Sequence, residues 1–502
     1  MKKEIKTNII LLAIIIIFLV SQFISPNVTI SPDENTRIFF SSNIIKNQGF
    51  SSPTNLPESF GDLIHPRTAV NINGNVTPLK SLGLYILEGG IYTIIQNQVA
   101  FPTLDLIYGL ITIIFIYLFA FNLSKSKRIS LLVSAIFSIT PLPEVLSIAP
   151  VFMFISIFYF YKSLKEQNIG RYVILFNLFF WIAIIARYEL IIPYVLFFLV
   201  LSIYRKVKIR EIFFYSFIIS LVFSLIILIL NNAIYGNPFF IGYNFDLQSS
   251  STGAFGTSLS PHKVLDYLFP FGFNVSSLIS VSLRFLFYFI PLSTIIYIFI
   301  LVKLFDKKPL RPIILTFILL SAWMIFYYGN NPDFFDSSRL IDSSYVRYLL
   351  VIYIGLFVFF SLYLKEELLY KIPKKLVLFM IFSFVTIMIL IYTTNYFYLD
   401  NQKKGYELLK DKILEITPNN SIIFTSKWDK VLWSNRLTAT SSVNFNENQI
   451  KDLIEKNYNQ YEFYIFQDSL YYDTLKNNSP FIIEPLGGTG LYRVVLKNDS
   501  PP

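Results

Sequence analysis

The sequence contains no cysteine, which excludes disulfides, thiol catalysis and cysteine-ligated metals. It holds only two histidines, His65 and His262, too few for a histidine-rich metal centre. Charge is scarce as well: 15% of the 502 residues are Asp, Glu, Lys or Arg, against roughly 25% in a soluble globular chain. No apolar run that reads as a membrane span carries a charge at its middle, which argues against a proton relay or an ion path through a bilayer. Internal repeats, heptad runs and low-complexity linkers are also missing. What the chain has in quantity is apolar surface, 54% hydrophobic and 18% aromatic residues, so the expected solvent is lipid. The net charge of +10 then reads as Lys and Arg at membrane edges, and no nucleic-acid partner is expected.

Apolar runs of about 20 residues, enough to cross a bilayer, set the expected architecture. The first covers Asn8 to Val20. Its basic start resembles a signal peptide, but no small-residue cleavage site follows, so it is read as an uncleaved span. Further runs lie near 103–123, 128–146, 148–164, 171–187, 189–204, 211–232, 283–302, 311–328, 346–364 and 375–395, making eleven. Every second loop is basic: Lys125, Lys127 and Arg128; Lys162, Lys165 and Arg171; Arg205 to Arg210; Lys303 to Arg311; Lys365 to Lys375. Lys and Arg collect on the cytoplasmic side of short loops. A multi-pass protein of the plasma membrane is therefore expected, with a cytoplasmic N-terminus and an extracytoplasmic C-terminus. Leu79 to Ile95 is apolar enough for a twelfth span, but counting it would invert every later loop. It is read as a helix on the outer surface, in keeping with Glu88, Gly89 and Gly90 at its middle.

Two domains follow from this topology. Residues 1–395 form a transmembrane domain with external loops over 26–102 and 233–282, and 396–502 form an external soluble domain. In that tail, helical patterns (Lys403 to Ile416, Glu447 to Lys456) alternate with strand patterns (Ser421 to Thr425, Phe463 to Phe466, Leu491 to Leu496), as in a small α/β domain. Gly487-Gly488-Thr489-Gly490 lies between two strand patterns and reads as a hairpin turn, not a phosphate loop.

The charges that touch the spans fall on one side. Asp105, Arg187, Glu189, Arg284 and Arg347 lie at the outer ends of their runs, and Glu144 lies in the outer turn Pro141-Leu142-Pro143-Glu144. Just past the first run comes Ser31-Pro32-Asp33-Glu34. A carboxylate at a membrane surface is partly desolvated, which raises its proton affinity and suits a general base. The same two acids also suit the N-terminal dipole of a short helix, with Ser31 or Asp33 as its cap.

A first span followed at once by an outer Asp-Glu pair and a long helical loop resembles the GT-C fold. Enzymes of that fold are integral membrane glycosyltransferases that use polyprenyl-phosphate sugars, among them protein O-mannosyltransferases and the aminoarabinose transferases of lipid A. Asn232-Ala-Ile-Tyr-Gly236-Asn-Pro238 with Gly242-Tyr243, Tyr345-Val-Arg347-Tyr348 and the α/β tail are similar to prokaryotic members. The resemblance implies Asp33 as the catalytic aspartate, acting as a base, and Glu34 as its neighbour in capping, substrate contact or metal binding. It also implies Arg347 as a contact for the carrier phosphate. Arg187, Arg284 and Lys80 are further candidates for that phosphate, since guanidinium groups hold oxyanions in pairs of contacts. Glu144, Asp105, His65 and His262 are candidates for substrate contact. Several relatives carry an aspartate at the start of the fourth span, where this chain has Ala149 before Pro150, leaving Glu144 or Asp105 as substitutes. No residue is assigned to a metal. The chemistry requires no cofactor, and a divalent cation is left open. The expected activity is inverting transfer of a sugar from a polyprenyl-phosphate donor to a glycan, lipid or protein acceptor on the outer face of the membrane. The alternative is a transporter or flippase of lipid-linked glycans, which would favour internal repeats and polar sites at the membrane midplane.

Overall fold

The computed structural model describes chiefly residues 82–95, 100–138, 148–238, 311–328, 404–440 and 447–497, with shorter pieces within 9–18, 39–40, 52–53, 64, 69–78 and 351–364. In chain order the helices that carry most of the fold are α1 (Leu82–Ile95), α2 (Ala100–Ser124), α3 (Lys127–Ser138), α4 (Ile148–Lys165), α5 (Ile169–Ala186), α6 (Ile191–Tyr204), α7 (Ile209–Tyr235) and α8 (Arg311–Tyr328). The chain divides into two compact units, one of Met1–Pro26, Pro102–Ile226 and Ser258–Phe397, the other of Asn27–Phe101, Ile227–Thr257 and Tyr398–Pro502.

The first unit is helical. Four helices among the described residues are long and apolar enough to cross a membrane: α2 over Leu106–Ser124, α4, α5 and α7. Lipid offers the backbone no hydrogen-bond partner, so a spanning segment pairs its amides internally as these helices do. Helices occupy the runs expected near 103–123, 148–164, 171–187, 189–204, 211–232 and 311–328, each within a few residues of those ends. Most of the other expected spans, and the second half of the one near 128–146, lie outside the described residues.

Aromatic rings fill the space between these helices. Phe160 of α4 meets Phe176 of α5 and Phe197 of α6 at 5.7 and 5.0 Å between centroids. Phe119 of α2 meets Phe158 of α4 at 5.5 Å. Each such pair adds about 1 kcal/mol beyond the area it buries. Gly109 lets α2 approach the first apolar run, because the Phe18 ring occupies the space that a β-carbon would need. By contrast α7 turns Phe213, Phe217, Leu221 and Leu225 outward, the surface expected of a helix that faces lipid.

Among the buried polar side chains of the helices, one set is joined across three of them by hydrogen bonds. Asn177 of α5 donates to Ser216 Oγ of α7 at 3.0 Å and accepts a hydrogen bond from the Tyr194 hydroxyl of α6. Trp181 Nε1 donates to Ser220 Oγ at 2.9 Å, and that hydroxyl lies 3.0 Å from Tyr194 Oη. All of these groups are neutral.

In the second unit the tail builds a five-stranded mixed sheet. Its strands are β4 (Ser421–Thr425), β5 (Leu437–Thr440), β6 (Glu462–Phe466), β7 (Phe481–Leu486) and β8 (Leu491–Leu496), in the order β5-β4-β6-β8-β7. The inner strand β4 pairs in parallel with β5 and β6 and is buried along its whole length, hence its continuous apolar run. Gly487, Gly488 and Gly490 all take positive φ (48°, 72° and 71°) in the turn that joins β7 to β8. The sheet is covered on one side by Ile450, Leu453 and Ile454 from the helix Glu447–Asn457. Ile413 and Leu409, from the helix over 404–416, pack in a second apolar cluster with Ile423 and Tyr464.

The first long loop belongs to this same unit. Three short strands, β1 (Ser52–Pro53), β2 (Ala69–Ile72) and β3 (Asn75–Pro78), form a small antiparallel sheet. Ile64 bridges to Ala439 on β5 and joins the tail core. Phe40 is fully buried against Ala69, Val76 and Tyr85, and Phe39 packs edge-on to Trp433 at 6.1 Å. The Tyr235 hydroxyl at the end of α7 donates to the carbonyl of Pro78. Helix α1 has 14 residues, about 21 Å at 1.5 Å per residue, which falls short of the roughly 30 Å hydrocarbon core.

Candidate functional site

Of the residues the sequence nominates, Arg187 is the one whose side chain lies among the described residues. Helix α5 ends at Ala186, where Arg187 turns extended (φ −152°, ψ 100°) and a single 3-10 turn, Tyr188–Leu190, leads into α6. Hydrogen bonds from the Arg187 amide to the carbonyls of Ala183 and Ile184, at 2.9 and 3.0 Å, and from the Leu190 amide to Arg187, at 3.1 Å, hold this corner tight. The turn carries Glu189 back toward the arginine, and Arg187 Nη1 lies 3.8 Å from Glu189 Oε1. The carboxylate side chain is 5% exposed and the guanidinium 19%, so the acid is the buried member and the cation the accessible one. Removing either partner would leave a charge in a poor solvent. The sequence presents Arg187 and Glu189 as two separate charges at the outer ends of successive runs. Their spacing around a helix break is the signal that they meet.

Asp105 lies on α2, one residue before the apolar stretch Leu106–Ser124. Ala149, which the resemblance sets against an aspartate of several relatives, is buried in the first turn of α4. Asp33, Glu34, His65, Lys80, Glu144, His262, Arg284 and Arg347 lie outside the described residues. Several of their neighbours in sequence do not. Phe39 and Phe40 follow the acidic pair, Ile64 precedes His65 and Pro78 precedes Lys80, and all four pack in the second unit. Among the described residues no group of three or more His, Cys, Asp or Glu side chains could hold a metal ion.

Two tryptophans of the tail, candidates for stacking on sugar, have their rings engaged inside the protein. Trp428 stacks on Phe466 at 5.4 Å and receives Tyr406 edge-on at 5.0 Å, while Trp433 packs against Phe39. The shifted ionisable groups of the tail are equally structural. Burial raises the Tyr464 pKa well above its ordinary value, helped by the hydrogen bond it donates to Glu462 at 2.7 Å. Burial lowers that of Arg436. Missing from the sequence reading is the neutral network of Asn177, Tyr194, Ser216 and Ser220. Its signal is an Asn at mid-run and two Ser residues four apart on one helix face.

No protein-family model matches the chain, and no curated protein does. Solved structures do. The archaeal oligosaccharyltransferase AglB from Archaeoglobus fulgidus, in complex with an inhibitory peptide and a dolichol-phosphate, is similar over 99% of this chain and 75% of its own, with a TM-score of 0.51 at 12% sequence identity. Two further structures of the Archaeoglobus fulgidus oligosaccharyltransferase are similar at TM-scores of 0.47 and 0.46. One is the apo form and the other is tethered to an acceptor peptide containing the NVT sequon; they are 10% and 11% identical, over 91% of this chain and 69% and 68% of theirs. At this identity the likeness is one of fold, and the first structure carries it: the chain shares the architecture of that oligosaccharyltransferase, and four of its described helices are long and apolar enough to cross a membrane.

Proposed function

We propose that this chain is a glycosyltransferase that moves a sugar, with inversion, from a polyprenyl-phosphate carrier to an acceptor at the outer face of the membrane. The observation that carries the reading is the fold likeness to an oligosaccharyltransferase over nearly the whole chain. The Pro32-Asp33-Glu34 segment directly after the first apolar run agrees with it. The dolichol-phosphate and peptide bound by AglB support a lipid-phosphate donor and favour a protein acceptor over a glycan or lipid one.

In this reading Asp33 accepts the proton of the acceptor nucleophile, whose lone pair attacks the anomeric carbon opposite the phosphate. The bond from that carbon to the phosphate oxygen breaks, and the carrier leaves as polyprenyl phosphate. A phosphate oxygen is a good leaving group that needs cationic stabilisation and no proton donor. Arg347, Arg284, Lys80 and Arg187 supply that charge, and Glu189 fixes the direction of the Arg187 guanidinium. Glu34, next in sequence to the base, serves substrate contact or a divalent cation, and Glu144, Asp105, His65 and His262 are candidates for substrate contact.

The test is transfer from a radiolabelled polyprenyl-phosphate sugar in membranes carrying Asp33→Ala. Loss of a general base predicts a fall of at least about a hundredfold, with the amount of inserted protein unchanged. Transfer at the wild-type rate would falsify the assignment of Asp33.

A further inference from the structure

An arginine at the end of a span reaches the headgroup level along its own apolar stem and needs no acid to do so. Burying a carboxylate, in contrast, is costly. The chain nevertheless sets Glu189 3.8 Å from Arg187, with the acid 5% exposed and the guanidinium 19%. The acid therefore stands behind an accessible cation.

The place of the pair in the fold suggests what the acid does. Arg187 follows directly on α5, a helix apolar enough to cross a membrane, and the apolar α6 begins at Ile191. The corner thus stands at one edge of the apolar layer, where lipid phosphates lie. Arg187 follows the C-terminal end of α5 and Glu189 precedes the N-terminal end of α6, so each charge meets the helix dipole that favours it. Two helix ends hold the pair as a dipole with no net charge. A guanidinium by itself attracts a phosphate more strongly the more charge that phosphate carries. Backed by an acid, it offers directed N–H donors with little net attraction.

We infer that Glu189 is a specificity-determining residue, which tunes the phosphate contact of Arg187 to groups of one negative charge and against groups of two. The inference rests on the reading of Arg187 as a contact for the carrier phosphate. A sugar carried on a single phosphate is held as a diester with one charge, and a sugar carried on a diphosphate brings a second. Glu189 thus selects monophosphate-linked donors. The same carboxylate acts once transfer is complete. When the anomeric carbon leaves, the electron pair of the broken bond stays on the phosphate oxygen, and the monoester product carries about 1.5 to 2 negative charges at neutral pH. Glu189 repels that added charge, so the spent carrier departs.

Binding to the full chain in phosphatidylcholine discs tests this without knowledge of the sugar. The probes are the methyl ester of polyprenyl phosphate, with one charge, and that of polyprenyl diphosphate, with two. The wild type should bind the singly charged ester at least as tightly as the other. Glu189→Gln should shift the ratio of the two affinities about tenfold toward the doubly charged ester, while Glu189→Asp should stay within about threefold of the wild type. Loss of folding would weaken both esters together, and thermal melts of each variant check it. Since Glu189→Gln removes the acid that offsets Arg187, the step is repeated from Arg187→Gln to the double variant Arg187→Gln with Glu189→Gln, in which neither charge remains. The same shift of about tenfold is expected there. A ratio that Glu189→Gln leaves unmoved in a folded protein, or a wild type that prefers the doubly charged ester, overturns the inference while the donor reading stands. If neither ester binds, the donor reading falls with it.

Discussion

The two units bury polar groups in opposite ways. Within the helices of the helical unit the buried hydrogen-bonded set is neutral: an amide, a phenol, an indole and two serine hydroxyls that satisfy one another between α5, α6 and α7. The buried Glu189 of that unit sits at a helix corner and is paired with Arg187. In the tail the buried group is a full charge. Arg436 sends Nε to Thr417 Oγ1 at 3.1 Å, Nη1 to Asn419 Oδ1 at 3.0 Å and to the Asn435 carbonyl at 2.8 Å, and Nη2 to the Leu414 carbonyl at 3.0 Å and to that of Thr417. The Leu414 and Thr417 carbonyls close the helix over 404–416, whose C-terminal dipole is negative and attracts a cation. Where lipid is the alternative solvent, a charge without an ion partner is prohibitive, so side chains that can both donate and accept are used. Where water is the alternative, a guanidinium can be drawn in by several oxygens at once because it carries five donors in a fixed plane.

The sharpest way to break this contrast is Arg436→Ala. It leaves the Leu414 and Thr417 carbonyls without their donor in a buried place, and we expect a loss of about 3 kcal/mol, read as faster hydrogen exchange over 404–440 in the full chain. Arg436→Lys should recover only part of it, because one ammonium cannot reach oxygens spread around a plane. The matching change in the helical unit is Asn177→Leu, which removes the hydrogen bonds to Ser216 and from Tyr194. Hydrogen bonds between membrane helices average only about 0.6 kcal/mol and reach about 1.7, since the unfolded helix also finds partners in the bilayer. A loss near 1 kcal/mol in thermal melts is expected, smaller than for Arg436. A larger effect at Asn177 than at Arg436 would reverse the ordering drawn above.

How much of this is legible in the sequence follows the same physics. The runs that become α2, α4, α5, α6, α7 and α8 can be read directly, because lipid demands uninterrupted apolar stretches of defined length. In the tail, β4, β6 and β8 are legible from their β-branched and aromatic runs, and they are the three inner strands of the sheet. The strand that escapes notice, β5, is one of its edges, and the other edge, β7, is read only as an unbounded strand pattern before the glycine turn. An edge strand buries less and tolerates polar residues and proline, so Leu437-Thr-Ala-Thr440 and the Pro485 of β7 carry weak signals. Contacts made by charges are the least legible. Arg205 and Ser163 stand 42 positions apart, and nothing in their spacing announces that the guanidinium closes the end of α4 there. The same holds for the first long loop: its apolar residues read as helix and surface, while their burial against β5 and Trp433 depends on chain that arrives some 370 residues later.

The contrast between units concerns buried groups, and an exposed charge in the tail marks its limit. Lys456 lies 3.0 Å from Asp452, one turn apart on the helix Glu447–Asn457, with both side chains 66% exposed. The distance is shorter than that of the Arg187–Glu189 pair, so geometry alone would rank it as the stronger interaction. Solvent decides otherwise. Water screens both charges and the long lysine side chain loses rotamer freedom to hold the contact, which leaves an i,i+4 pair with about 0.3 to 0.5 kcal/mol. Lys456→Ala should therefore leave the melting temperature of the full chain unchanged within error. Glu189→Gln, at a longer distance but in a buried corner, should lower it measurably. Equal effects from the two would mean that separation, and not burial, governs the strength of ion pairs in this protein.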